Sequence, residues 1–115
     1  MSAAPTITVE DFQRVDIRCG TIREARPNPK ARNPAYVLTV DFGPEIGTRT
    51  SSARITDLYR PEELVGRQVI AVVNLPPRRV AGVVSEVLVL GLSDAEGRVV
   101  LVGPDRPVPD GTRLF

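Results

Sequence analysis

There is no histidine in this chain of 115 residues, no tryptophan, and only one cysteine. Without an imidazole, no Ser-His-Asp or Cys-His arrangement can be assembled. A zinc ion would find at most one thiolate, too few donors for a structural or a catalytic centre. Cys19 can form no internal disulfide, which suits a reducing cytoplasm, and on a strand it is expected to be a small buried apolar group. The single lysine, Lys30, sits among prolines, a poor place for the desolvation that activates an amine. No glycine-rich phosphate loop is present. No apolar run approaches the ~20 residues of a membrane span, so membrane insertion is not expected. Met1-Ser2-Ala3-Ala4-Pro5 has no basic region followed by an apolar segment, so a secretory signal is not expected either. These absences predict a non-enzyme with no catalytic residue, metal or cofactor.

Aromatic residues are scarce too: Phe12, Phe42, Phe115, Tyr36 and Tyr59. Proteins that bind single strands stack bases on exposed rings worth ~1–3 kcal/mol each. Most of these five fall on apparent core faces, which disfavours that mode. No sign of charge dominates, with 15 bases against 14 acids and a net charge of +1. The overall basic signature of a nonspecific nucleic-acid binder is therefore missing. The distribution is uneven, however. Six bases (Arg14, Arg18, Arg23, Arg26, Lys30, Arg32) lie between Arg14 and Arg32, against Asp16 and Glu24. Fourteen of the fifteen bases are arginine, whose planar fork suits phosphate or carboxylate.

What is present reads as strands. After a helical turn at Glu10-Asp11-Phe12, with Phe12 predicted to pack inward, Val15, Ile17 and Cys19 alternate with polar residues at the period of a half-buried strand. Gly20 is the expected bulge, beyond which the strand continues to Ala25. Three prolines between Pro27 and Pro34 make a loop. Ala35 to Phe42 is the second strand, with Tyr36, Leu38, Val40 and Phe42 on one face. Gly43 to Gly47 is a turn, and Thr48 to Ile55 a more polar third strand. Pro61-Glu62-Glu63-Leu64 is one helical turn. Val69 to Leu75 reads as a strand buried on both sides, and Ser85 to Leu90 as the fifth. Five strands, a bent first strand and a short helix between the third and fourth describe an all-β, five-stranded oligonucleotide/oligosaccharide-binding (OB) barrel. Residues 1–115 form one such domain. Residues 1–11 are a lead-in, and the short elements added near the C-terminus are expected to cover a sheet edge or pair with a second subunit.

Between the fourth and fifth strands, Val72 to Gly91 holds a polar cluster flanked by β-branched runs. Asn74 offers an amide, Pro76-Pro77 stiffens the exit, Arg78 and Arg79 present guanidinium groups, and Ser85 and Glu86 return on the next strand. Residues 76–84 are predicted to be neither strand nor helix. The cluster holds no group suited to covalent chemistry and reads as a binding site. An internal Arg78–Glu86 ion pair, with Asn74 capping a strand end, is the purely structural alternative.

Asp16-Ile17-Arg18-Cys19-Gly20-Thr21-Ile22, Val73-Asn74-Leu75-x-Pro77-Arg78-Arg79 and Gly82-x-x-Ser85-Glu86 resemble the tRNA-binding OB domain appended to methionyl- and phenylalanyl-tRNA synthetases. More closely, Thr50-Ser51-Ser52-Ala53-Arg54-Ile55-Thr56, Tyr59-Arg60-Pro61-Glu62 and Ser85-Glu86-Val87-Leu88-Val89-Leu90-Gly91 are similar to the bacterial CsaA proteins. The likeness runs from about Phe12 to Phe115. It implies a cytoplasmic homodimer, with residues 103–115 contributing to the interface. It also implies a chaperone for unfolded preproteins with affinity for the export machinery, or alternatively a binder of the outer corner of tRNA. Ligand contacts are implied for Asn74, Arg78, Arg79 and Ser85, with Ser51, Ser52 and Glu86 beside them. The tRNA-binding relatives usually read Lys-Pro-Arg-Lys-Met followed by an arginine, where this chain has Pro76-Pro77-Arg78-Arg79-Val80-Ala81. Two fewer cations should weaken phosphate binding. Val87-Leu88 replaces a frequent Gly-Met and keeps the site apolar. Both departures favour a peptide-type ligand.

Overall fold

The structure, a computed structural model, describes residues 3–115. Thr8 opens α1 (Val9–Gln13): its hydroxyl accepts from the Asp11 N–H, and the Asp11 carboxylate accepts from the Thr8 N–H. Such reciprocal capping satisfies donors the helix leaves free. No residue of α1 is buried. Phe12, expected inside, is 37% exposed. The five-residue helix belongs to neither core cluster and lies instead beside the C-terminal residues, where the Gln13 carbonyl accepts from Arg113 (2.6 Å).

The barrel is organised around β1 (Ile17–Pro27), which serves two partners. Its first half, Ile17 to Thr21, pairs with β4 (Gln68–Val72), and Thr21 to Pro27 pairs with β2 (Tyr36–Asp41), both antiparallel. The irregularity that lets one strand turn between two neighbours falls between Ile22 and Glu24, beyond the expected Gly20. Gly20 has a different reason to be glycine. A Cβ there would lie 2.7 Å from the Phe42 ring and 2.8 Å from the Val40 side chain. Its bare backbone lets the ring pack against β1.

β3 (Thr48–Ala53) continues the sheet beyond β2, after a helical turn α2 (Gly43–Ile46) where only a turn was predicted. The predicted face of the second strand is the core: Tyr36, Leu38, Val40 and Phe42 are all buried. Leu64 of α3 (Pro61–Leu64) is fully buried in the same cluster. The alternation of β4 divides its apolar run between two clusters. Val69 and Ala71 enter the barrel interior, while Ile70 and Val72 join Ile17 and Cys19 on the outer side. Leu90, Val102 and Val108 of the C-terminal third pack over that second cluster.

The predicted fifth strand is broken. β5 (Arg78–Val80) and β6 (Val83–Ser85) form a hairpin of their own, so residues 78–80 and 83–84 are strand where none was predicted. β7 (Leu88–Val89) then pairs with β4. β8 (Gly91–Ser93) and β9 (Val99–Leu101) make a second hairpin. The main sheet runs β3-β2-β1-β4-β7, the nearly closed curve of an OB-type barrel. The last residues return to the free side of β1. The Cys19 N–H donates to the Thr112 carbonyl (2.9 Å), and the Gly111 and Leu114 N–H groups donate to the Cys19 and Ile17 carbonyls (2.7 and 2.9 Å). The extension thus covers a sheet edge within its own chain.

Candidate ligand groove

The seam between β3 and residues 85–87 is closed largely by side chains rather than by a regular ladder. The Ser52 N–H donates to Ser85 Oγ (3.0 Å), the Thr50 N–H to Glu86 Oε1 (2.9 Å), and the Glu86 N–H to the Thr50 carbonyl (2.7 Å). The Ser51 hydroxyl, 1% exposed, donates to the Val87 carbonyl (3.2 Å). Four of the predicted site residues (Ser51, Ser52, Ser85, Glu86) are therefore brought together, and they form the wall itself. A hydroxyl or carboxylate can satisfy backbone groups that diverging strands leave unpaired. That requirement explains why polar residues fill this part of the third strand.

Above the seam lies a small groove of about 170 Å³, lined by Ser52, Leu75, Pro76, Arg78, Val80, Ser85, Glu86, Val87 and Leu88. It adjoins a wider hollow of about 520 Å³ that shares Ser52, Arg78, Val80 and Leu88 and adds Arg32, Asn33 and Arg54. Leu75 and Leu88 on the rim are 47% and 51% exposed. No aromatic residue lines either space. Arg78 and Val80, two apart on β5, both face the groove. Arg79 is exposed between them, and strand alternation sends it to the other face of the hairpin.

The hairpin tip is held by the β1–β2 loop. Ala81 and Gly82 turn with φ of 47° and 82°, a left-handed pair suited to a two-residue hairpin loop. The Asn28 amide donates to the Ala81 carbonyl (3.4 Å), and the Lys30 stem lies against Gly82. Asn74 stands apart. Its Oδ1 accepts from the Asp16 N–H (2.9 Å), and its Nδ2 donates to the Arg14 carbonyl (2.8 Å). The amide fastens the end of β4 to the entry of β1, as the structural alternative anticipated, and Asn74 lines neither space. The other half of that alternative is absent. Among the described residues, Arg78 forms no ion pair with Glu86 or any other carboxylate.

Sequence reasoning missed Arg32 and Arg54. The base-rich run ending at Arg32 was visible, but its destination depended on how the Pro-rich loop folds back. Arg54 had a local signal, because it lies two residues after Ser52 at the end of a strand and so takes the same face. Neither guanidinium has a carboxylate partner among the described residues, whereas Arg18, Arg23, Arg60, Arg98, Arg106 and Arg113 all do. Glu86 is the lone carboxylate lining these two spaces, and a backbone amide already engages it. Cys19 lies outside the groove in the second core cluster, where burial, and after it the charge of Asp110, pushes its thiol pKa up and keeps it protonated. Among the described residues no cluster of three potential metal ligands occurs.

Residues 17–113 match the family described as "Putative tRNA binding domain". The crystal structure of chaperone CsaA from Bacillus anthracis superposes with a TM-score of 0.90 at 49% identity, covering 96% of this chain and 100% of that one. The chain is a CsaA-type member of the tRNA-binding domain family. CsaA chaperone protein from Picrophilus torridus is similarly close, with a TM-score of 0.88 at 44% identity over 96% of this chain and 100% of that chain. The family likeness extends to methionine–tRNA ligase of Flavobacterium johnsoniae, 45% identical over 94% of this chain. This chain spans only 15% of that ligase's length. No helix of the described residues is long and apolar enough to cross a membrane.

Proposed function

We propose that this protein is a non-catalytic, cytoplasmic, CsaA-like chaperone that holds unfolded or presecretory polypeptide in the groove beside β5 and passes it to the export machinery. The observation that carries this reading is the composition of the groove. Exposed Leu75 and Leu88 form an apolar rim next to Ser52, Ser85 and Arg78, so an extended chain meets apolar contact and polar anchors together. The likeness to two CsaA chaperones along nearly the whole chain supports it. The protein works as a homodimer in this proposal. Val9, Phe12, Val15, Leu114 and Phe115 line an apolar hollow of about 500 Å³ at the termini, and Phe115 is fully exposed. Such a patch on a small domain favours association.

A second reading, binding of folded tRNA in the same groove, is favoured by one observation: Arg32, Arg54 and Arg78 face a shared hollow without carboxylate partners. Competition separates the two. A labelled unfolded presecretory polypeptide and labelled tRNA are titrated at low and moderate salt against the wild type and Arg78→Ala. Polypeptide binding that Arg78→Ala weakens several-fold is the expected result. Tight tRNA binding with a steep salt slope, and no polypeptide binding, sinks the chaperone reading. Light scattering that finds a monomer at micromolar concentration removes the dimer.

A further inference from the structure

We propose that Arg32, Arg54 and Arg78 form a subsite for successive backbone phosphates of a folded RNA. This inference rests on the tRNA reading of the groove and supplies the residues that reading lacks. The three guanidinium groups come from three separate elements: the β1–β2 loop, the end of β3, and β5. They converge on one hollow of about 520 Å³, which Asn33 and Ser52 also line. Arg32, Arg54 and Arg78 are exposed, so no burial penalty obliges them to find partners within the chain. Charge density argues for a polyanion. A nucleic acid carries a negative charge on every nucleotide, whereas an unfolded polypeptide of ordinary composition carries a carboxylate on only a minority of its residues. One peptide carboxylate would leave two of the three cations unneutralised.

The rest of the lining agrees. With no aromatic ring in the hollow, the usual platform for base stacking is missing, which favours contact through phosphates and sugars. Recognition of an RNA helix by shape uses phosphates and 2′-hydroxyls, and the Asn33 amide and Ser52 hydroxyl are groups of the right kind. Arg32 and Arg54 also supply two cations where Pro76 and Ala81, before and at the hairpin, carry none.

The test measures tRNA affinity as a function of salt for the full chain, for Arg32→Gln/Arg54→Gln, for Arg32→Lys/Arg54→Lys, and for Arg98→Gln, whose guanidinium pairs with Asp94 elsewhere. Loss of two phosphate contacts should make the log–log salt slope shallower by about 1.4–1.8. Affinity should fall about 3- to 10-fold per guanidinium at low salt. The lysine pair keeps the slope but loses affinity, because it retains charge without the fork. Arg98→Gln changes neither. If the wild type binds tRNA and the glutamine pair leaves its slope unchanged, the subsite is overturned while the tRNA reading stands. If the wild type binds no tRNA at low salt, both fall. If the glutamine pair loses an unfolded polypeptide and not tRNA, the hollow belongs to a peptide and the proposal is overturned.

Discussion

The two flanks of the barrel use arginine in opposite ways. Where the C-terminal segment returns to β1, Arg18 donates to Asp16 (2.7 Å) and to the Gly111 carbonyl (3.0 Å), Arg113 sits 3.6 Å from Asp16, and Arg23 bridges Asp41 and Asp110 (both 3.4 Å). The Asp16 hydrogen bond is the first cause of a raised Arg18 pKa. Around the groove, Arg32, Arg54 and Arg78 have no such partner. The residue type is the same, and the placement of carboxylates divides clamp from free charge. Asp110 shows how much one carboxylate can organise. It accepts from the Thr21 hydroxyl (2.6 Å) and the Gln68 amide (3.4 Å) besides facing Arg23, and so ties residue 110 to β1 and β4.

The contrast breaks most readily at that carboxylate. Asp110→Ala strands the buried Thr21 hydroxyl and should cost about 2–3 kcal/mol in urea unfolding. Arg54→Gln on the opposite flank should move stability by less than about 0.5 kcal/mol. Equal losses would show that both flanks are structural. An intermediate effect belongs to the seam. Ser51→Ala removes a buried donor from the Val87 carbonyl and should cost about 1 kcal/mol, with the groove loosened rather than its charge changed.

The smallest effect is local and pH-dependent. Hydrogen bonds from the Arg98 backbone, and then its side chain, hold the Asp94 carboxyl below the usual carboxylate range in the β8–β9 turn. A depressed folded-state value contributes stability that is present above the unfolded pKa and is lost as pH falls from the ordinary carboxylate range through the folded value. Amide protection factors at Gly97 and Arg98 should therefore fall in acid before those of β4. Uniform protection of both segments down to acid unfolding would refute this.

Much of the scaffold was legible because it is local. The alternation of Tyr36, Leu38, Val40 and Phe42 placed all four in the core, and the apolar run at Val69 to Leu75 marked a strand covered on both sides, although the strand ends at Val72 and Leu75 is exposed. The hairpin at Arg78–Ser85 was not legible, because Pro76-Pro77 and two arginines read as loop. Its pairing depends on the left-handed Ala81–Gly82 turn and on Asn28, far away in sequence. The inward Phe12 failed for a related reason, since apolar character says nothing of whether a core lies within reach.

The same division runs through the site. Residue types alone removed histidine catalysis and zinc, and pointed to a binding surface on a five-stranded barrel, because chemistry needs particular groups and strands need particular periods. Folding decided which polar groups a ligand could still meet. Asn74 was taken by the entry of β1, Ser51 and Glu86 by the seam, and Arg32 and Arg54 arrived at the groove with their charges unspent. Hydrogen bonds saturate and charges pair over a few ångströms, and only the packed chain determines which groups come that close.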